Sequence, residues 1–340
     1  MTAAPHRETF ARRLLKWHTR HGRHDLPWQH PRTAYRVWVA EVMLQQTQVA
    51  TVIPYYRRFL TRFPDVAALA RAPRDALLAR WSGLGYYARA RNLHEAARQV
   101  VGLHGGEFPA DFESVAALPG IGRSTAGAIL AQAFGARYPI LEGNARRVFA
   151  RHKGIAGWPG EPRVANQLWR VAERQMPVAR MADYTQALMD LGATVCTARA
   201  PRCVQCPVSS DCVALKRGTV ARLPTPRPRR ERPRRTAQLL LIENARGHLL
   251  LERRPDRGIW GGLWCPPMVA GRNPGARVLA RLPAIHHAFT HYDLELQPVR
   301  VCARRAGDWV KLRALSRYGI PAPVRKLLLS FPRRRESSFR

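Results

Sequence analysis

The stretch Leu118-Pro-Gly-Ile-Gly-Arg-Ser-Thr-Ala-Gly-Ala-Ile129 decides how the N-terminal part of this chain folds. It reads as the end of one helix, a tight glycine turn and the start of another. Two glycines, Gly120 and Gly122, let backbone come close to a phosphate, and the helix that follows offers free N–H donors and a positive dipole end. Ser124 stands in its first turn. An ordinary turn between packed helices fits the same residues, so support has to come from elsewhere in the chain.

Outward from this turn the pattern stays helical, from Arg7 to about Ala214, with Pro and Gly as punctuation. Val39, Val42, Met43, Val49, Ala50 and Ile53 form one stripe if helix is continuous, although Gln45-Gln46-Thr47 can break it with Thr47 as N-cap. A further helix from Asp183 to Val195 leads straight into Cys196, Cys203, Cys206 and Cys212, spaced C-x6-C-x2-C-x5-C. Four thiolates on one loop suit either Zn²⁺ or an iron–sulfur cluster. The spacing argues against a zinc ribbon, and Cys265 and Cys302 lie too far away in sequence to suggest a disulfide framework.

Lys and Arg total 57 against 23 Asp and Glu, a formal net charge of +34. Such an excess attracts polyanions, of which nucleic acid is the commonest inside a cell. Pro226–Arg235 and Pro332–Arg340 inflate the total, yet the remainder is strongly basic. No apolar run approaches the ~18 residues that would suggest a membrane span, and the opening MTAAPHRETFARRLLKW lacks a hydrophobic signal core. A cytoplasmic, nucleoid-associated monomer without membrane contact is the expectation.

Four segments are expected: a helical region over 1–218, a Pro/Arg-rich linker over 219–236, a small α/β domain over 237–330 and a tail without structure over 331–340. The α/β region opens with short strands at Ala237–Glu243 and His248–Arg253 around Asn-Ala-Arg-Gly, a hairpin pattern, and continues with a strand at Asp293–Cys302.

The glycine turn and the cysteine spacing together resemble the iron–sulfur branch of the helix-hairpin-helix DNA glycosylases. Trp38-Val-Ala-Glu-Val-Met-Leu-Gln-Gln-Thr-Gln48, Gly83-Leu-Gly-Tyr-Tyr87 and Trp260-Gly-Gly-Leu-Trp264 narrow the resemblance to the MutY-type adenine DNA glycosylases. The resemblance runs from about residue 8 to residue 329. It implies two helical lobes carrying a [4Fe–4S] cluster on the four cysteines, followed by a Nudix-like domain. It also implies double-stranded DNA as partner, with adenine excised opposite 8-oxoguanine or guanine.

Residue by residue, the resemblance makes Glu41 the acid that protonates adenine and Glu142 the carboxylate facing the sugar. Here the chain departs from the pattern of the family it resembles, which normally reads Asp-Gly-Asn where this sequence has Glu142-Gly143-Asn144. One added methylene displaces the carboxylate by roughly 1.5 Å on an unchanged backbone. Gln186 and Trp28 match the adenine pocket, and Gln46 and Tyr86 match residues inserted into the duplex. Gly120, Gly122 and Ser124 match the DNA-backbone hairpin. Ser124 also occupies the position where bifunctional relatives such as endonuclease III carry a Schiff-base lysine, which implies a glycosylase without lyase activity. Phe289, Thr290 and His291 match the loop that reads 8-oxoguanine. Between Trp264 and His286 there is no acidic residue to hold Mg²⁺, so pyrophosphatase activity is not expected.

Overall fold

Thr9 and Thr33 open the first two helices by the same device. Each hydroxyl accepts the backbone N–H three residues on, at 3.3 Å, starting α1 (Phe10–His21) and α2 (Ala34–Leu44). The computed structural model describes residues 8–228, 231–271, 276–289, 291–303, 305 and 307–330. The opening Met1–Arg7, part of the linker, Thr290 and the tail 331–340 lie outside the described residues.

Helix α2 stops at Leu44 because Gln46 takes a left-handed backbone, φ 59°. Helix α3 (Val49–Arg62) restarts with the Gln48 carbonyl accepting from Thr51 and Val52, both at 3.0 Å, so the cap falls one residue after Thr47. The break also rotates the buried stripe. Val52, Tyr56, Phe59 and Phe63 point inward, whereas Ala50 is exposed. The remaining helices are α4 (Val66–Arg71), α5 (Arg74–Trp81), α6 (Ala88–Leu103), α7 (Phe112–Ala117), α8 (Arg123–Phe134), α9 (Gly143–Lys153), α10 (Pro162–Arg174), α11 (Met181–Asp190), α12 (Val213–Lys216) and α13 (Ala322–Ser330).

The chain divides into two compact units. One comprises Met1–Arg57, Asp65–Ala67 and Glu95–Arg229; the other comprises Arg58–Pro64, Ala68–His94 and Arg230–Arg340. The expected boundaries differ from this division, because a helical stretch before residue 95 packs with the C-terminal residues.

In the first unit, Phe10, Leu14, Ile140, Leu141, Phe149, Leu168, Tyr184, Leu188 and Leu191 form the core. Helix α8 packs on α2 and α11, and α9 packs on α10, α11 and α12. The helix expected over Asp183–Val195 is α11 followed by a π-helical turn, Leu191–Val195. Gly192 in that turn is obligatory: a Cβ there would sit 2.4 Å from the Asn144 Cβ, so the turn could not lie on the start of α9. The first half of the expected linker is not free. Leu223 is buried, the Thr225 hydroxyl accepts from Gly157 N–H at 3.0 Å, and Arg227 lies 5.5 Å over the Trp158 ring.

In the second unit, β1 (Arg234–Leu241) runs parallel to β7 (Asp293–Cys302) with Leu239 opposite Pro298, and antiparallel to β4 (Met268–Ala270). Strands β5 (Arg277–Arg281) and β6 (Ile285–Ala288) also pair with β7. A second sheet has the order β3 (Trp264–Cys265), β2 (Leu249–Arg253), β8 (Asp308–Val310). The expected turn at Asn-Ala-Arg-Gly forms, with the Asn244 Oδ1 accepting from Arg246 and His248 N–H at 3.0 Å each. The expected hairpin does not extend beyond it. Past the bridge Glu243–Leu249 and the bond from Leu250 N–H to Ile242 O at 3.0 Å the strands part, β1 to one sheet and β2 to the other. Helix α5 packs within this unit: the Trp264 indole donates to Asp75 at 3.2 Å and Arg74 pairs with Asp256 at 2.9 Å. No helix among the described residues is long and apolar enough to cross a membrane.

Candidate active site

Glu41 sits on the last turns of α2, one turn after the fully buried Trp38, and its carboxyl opens on a cavity of about 590 Å³. That volume is of the size that holds a small ligand. Trp28, Gln46, Ser124, Glu142 and Gln186 line the same cavity, so the structure brings together residues from five separate stretches of chain.

The Glu41 Oε1 accepts from the Gln132 amide on α8 at 2.8 Å. Burial pushes the Glu41 carboxyl up to about 7, with Gln132 opposing that shift and Glu142 adding to it. Near neutrality this group is therefore divided between acid and carboxylate. Such a pKa is what a proton donor at physiological pH requires.

Glu142 is the N-cap of α9. Its Oε2 accepts from Asn144 N–H and its Oε1 from Ala145 N–H, both at 2.8 Å. The extra methylene thus lets the side chain curl back and commit both oxygens to the helix end. Burial raises this carboxyl, offset in part by those two N–H groups and by Arg147 and Arg146.

Gln186 is held just as firmly. Its amide donates to the Asp190 Oδ1 at 2.8 Å, one turn along α11. The buried Asp190 also accepts from Arg23, through backbone N–H and Nε at 2.8 Å and Nη2 at 2.6 Å, with His18 3.5 Å away. Burial alone would raise Asp190, but His18 and Arg23 hold it below the usual carboxylate range. A carboxylate only accepts, so the Gln186 NH₂ must face it.

Ser124 accepts from Leu141 N–H at 2.9 Å and thereby ties the start of α8 to the segment carrying Glu142. In the preceding turn, Gly120 has φ 80° and needs to be glycine, whereas Gly122 is extended, φ −94°, with open space where a Cβ would be. The reason for two glycines is therefore split. The first makes the turn, and the second leaves the helix start uncovered.

Gln46 and Tyr86 share a property that composition does not reveal. Both occupy left-handed backbone, φ 59° and 48°, and both are exposed. Non-glycine residues tolerate this only at a cost, and such strain concentrates at functional positions. Tyr86 is 49% exposed, so its ring is not part of the core. The Arg89 guanidinium lies 5.5 Å from its ring.

Cys196, Cys203, Cys206 and Cys212 line a common small cavity with Arg151, whose Nη1 donates to the Cys196 Sγ at 3.4 Å. Among the described residues no three His, Cys, Asp or Glu side chains form a group that could hold a single metal ion. All four cysteines are free thiols, and burial pushes Cys206 up to about 12. Four half-buried thiols with an adjacent guanidinium form a soft donor set with cationic support, which fits a polynuclear thiolate centre. Arg147 joins this loop to the cavity: it donates to Cys196 O, Gly192 O and Asn144 Oδ1, each at 2.7 Å.

In the second unit Phe289 stacks on Tyr292 at 4.7 Å and meets His287 at 4.6 Å, and Arg235 covers Tyr292 at 4.7 Å. His291 is exposed beside Tyr292. Thr290, between them, falls outside the described residues.

Sequence reasoning passed over Gln132, Asp190, Arg23 and Arg147. Two of them carried a signal. Gln132 stands alone as a polar residue in Ala-Ile-Leu-Ala-Gln-Ala-Phe, and Asp190 does so in Ala-Leu-Met-Asp-Leu-Gly-Ala. A single polar side chain inside an apolar helical run is buried and must have a partner.

Residues 39–174 match the HhH-GPD superfamily of base excision DNA repair proteins, and residues 238–330 match the NUDIX domain. The chain is 32% identical over 341 residues to the adenine DNA glycosylase of Buchnera aphidicola subsp. Acyrthosiphon pisum, covering 95% of this chain and 97% of that one. It is 46% identical over 213 residues to the human adenine DNA glycosylase, covering 60% of this chain and 39% of the human one. Among solved structures, a thermostable thymine-DNA glycosylase superposes with TM-score 0.55 at 27% identity, covering 61% of this chain and 95% of that chain. An endonuclease III–DNA complex shares the fold with TM-score 0.51 at 22% identity, covering 60% of this chain and 94% of that chain. With a relative matched at 32% identity over nearly its whole length, this chain belongs to the adenine DNA glycosylase family, enzymes that hydrolyse N-glycosyl bonds.

Proposed function

We propose that this protein removes adenine mispaired with 8-oxoguanine or guanine in double-stranded DNA, by acid-assisted hydrolysis and without strand cleavage. The observation that carries the reading is the Glu41 carboxyl, poised near neutrality in a cavity that it shares with a second carboxyl.

Everting the adenine costs a few kcal/mol, less at a mispair, and Gln46 and Tyr86 fill the gap left in the duplex. Glu41 gives its proton to adenine N7, the C1′–N9 bond breaks with its electron pair leaving on the base, and positive charge develops on the sugar. Glu142 stabilises that charge. Water then adds to C1′, and the Glu41 carboxylate takes the water's proton, leaving an abasic site. Gln186 and Trp28 supply the hydrogen-bonding edge and the apolar wall around the base. Gly120, Gly122 and Ser124 receive the DNA backbone at the start of α8. Among the described residues no lysine lines the cavity, and a serine hydroxyl at position 124 does not form an imine.

The four cysteines would hold one [4Fe–4S] cluster, which ties residues 196–212 into a single loop when bound. In the C-terminal Nudix-like domain Phe289, Thr290 and His291 would read 8-oxoguanine. The domain limits in this reading are 1–218 for catalysis, 219–236 for the linker and 237–330 for lesion recognition, in a cytoplasmic, nucleoid-associated monomer.

A second reading is favoured by one observation: both Glu142 oxygens are already engaged by α9. The protein would then bind the lesion with weakened chemistry. Single-turnover release of adenine from an A:8-oxoguanine duplex separates the two. Wild type is expected to excise, Glu41→Gln to bind with similar affinity but release no adenine, and borohydride to trap no covalent adduct. Excision by Glu41→Gln would remove the acid assignment, and tight binding without release by wild type would install the second reading.

A further inference from the structure

The Gln132 side chain is buried, 3% exposed, and its amide oxygen has no hydrogen-bond partner among the described residues. An orphaned buried acceptor is a cost, so the NH₂ end must be committed to something that matters more. It is committed to Glu41, at 2.8 Å, across the packed pair α2 and α8. The opposite amide orientation would present oxygen to a carboxyl that is charged part of the time, and two acceptors repel.

We propose that Gln132 is the positioning residue for the proton donor: its N–H occupies one Glu41 oxygen, leaves the proton on the other, and tightens as the carboxyl becomes a carboxylate. The inference rests on Glu41 being the acid. A hydrogen bond to an ionised acceptor is roughly twice as strong as one to a neutral acceptor. The bond therefore gains strength as the proton moves to adenine, and only interactions of that kind accelerate the step. Its loss has two linked consequences. Glu41 becomes a weaker acid, so the rate falls, and it keeps its proton to higher pH, so the alkaline limb of the rate profile moves up.

The charged groups that face the cavity beside Glu41 are Glu142, the N-cap of α9, Arg147 within α9, and Arg23, the last paired with Asp190 of α11. Arg123 on α8 is paired with Glu173. Substitution at Gln132 leaves all of these in place, so a moved limb reports the lost amide.

The experiment measures single-turnover adenine release from an A:8-oxoguanine duplex between pH 5 and pH 9 for wild type, Gln132→Leu, Gln132→Met and Glu41→Gln. Affinity for a duplex carrying a non-hydrolysable adenosine analogue is measured alongside. Met keeps the length and shape of Gln without a donor, and Leu suits a buried helix, so both variants are expected to fold and bind as wild type does. The expected result for both is an alkaline limb raised by about one pH unit and a plateau lowered about three- to tenfold, since one unit corresponds to a factor of about ten. A lowered plateau with an unmoved limb means mere packing and overturns the proposal, as does an unchanged profile. Excision by Glu41→Gln would instead sink the acid assignment beneath it, so the two failures are distinguishable.

Discussion

Replacing Glu142 by Asp is expected to make this enzyme faster. In the structure the Glu142 carboxylate reaches back over the start of α9 and both its oxygens accept backbone N–H groups at 2.8 Å. Each such bond neutralises part of the charge and points a lone pair at the helix end. Asp lacks one methylene, so its carboxylate retracts by roughly 1.5 Å. Asp is also among the best N-cap residues, and as a cap it needs only one oxygen for the N2 or N3 N–H. The other oxygen is then released toward the cavity, where the proposed mechanism develops positive charge on the sugar.

A misplacement of about 1 Å costs on the order of a hundredfold in rate, so Glu142→Asp is expected to gain roughly ten- to a hundredfold in single-turnover adenine release. Stability is expected to drop by no more than about 1 kcal/mol, because one cap bond is kept. The assay pairs quenched-flow release of adenine with thermal melts of both proteins. An equal or slower Glu142→Asp enzyme with an unchanged melt would refute the reasoning. It would mean that the bidentate cap already leaves enough field at the sugar, or that the longer side chain leaves the helix when DNA is bound.

Glu41→Gln is expected to stabilise the protein at alkaline pH. The folded carboxyl titrates near 7 against 4.5 unfolded, so the native state binds more protons between those values and loses stability as pH rises. The penalty is on the order of 3 kcal/mol above pH 7 and absent below about 4.5; melting curves of the two proteins should diverge between these limits, and parallel curves would contradict the shift. Asp190→Asn acts with the opposite sign. That carboxyl is depressed by His18 and Arg23, so its stabilisation is present above the unfolded carboxylate pKa and lost as pH falls through the lower folded value. The variant is expected to lose about 2 kcal/mol at pH 7, between an exposed and a fully buried pair, by urea titration; a loss below the noise would make the ion pair decorative. Cys206→Ser is expected to lower bound iron to background and lower the melting temperature, while helical circular dichroism largely persists; stoichiometric zinc in wild type would overturn the cluster assignment.

The legible parts of the chain were those where one local rule decides. Gly120 makes a left-handed turn that no neighbour could substitute, and α8 begins three residues later at Arg123. The C-x6-C-x2-C-x5-C spacing brings four sulfurs to one cavity through the sequence alone. What stayed hidden depended on partners distant in sequence. Ala68–His94 has ordinary helical periodicity, and nothing local says that it packs with residues after 230. Likewise β1 and β2 look like a hairpin because the turn chemistry at Asn244 is right, but their pairing is settled by β7 and β8, about sixty residues on.

The same division runs through the cavity. Glu41 and Glu142 carry motifs, while the residues that set their behaviour do not. Gln132 holds one oxygen of Glu41 from α8, and Asp190 aims the Gln186 amide from the next turn of α11. Both are single polar side chains in otherwise apolar helical runs, fully enclosed, and both bond to a residue of the cavity wall. Evolution of a site of this kind is constrained by burial: a carboxyl raised to about 7 costs stability in proportion to its usefulness as an acid. A donor such as Gln132 recovers part of that cost by favouring the ionised form, and in doing so strengthens the acid. Glu142 works the other way, since a second carboxyl nearby raises the first. The proton on Glu41 is thus set between an amide that helps release it and a carboxyl that helps retain it. Changing either neighbour should move rate and pH dependence together, which a purely steric account of the pocket does not require.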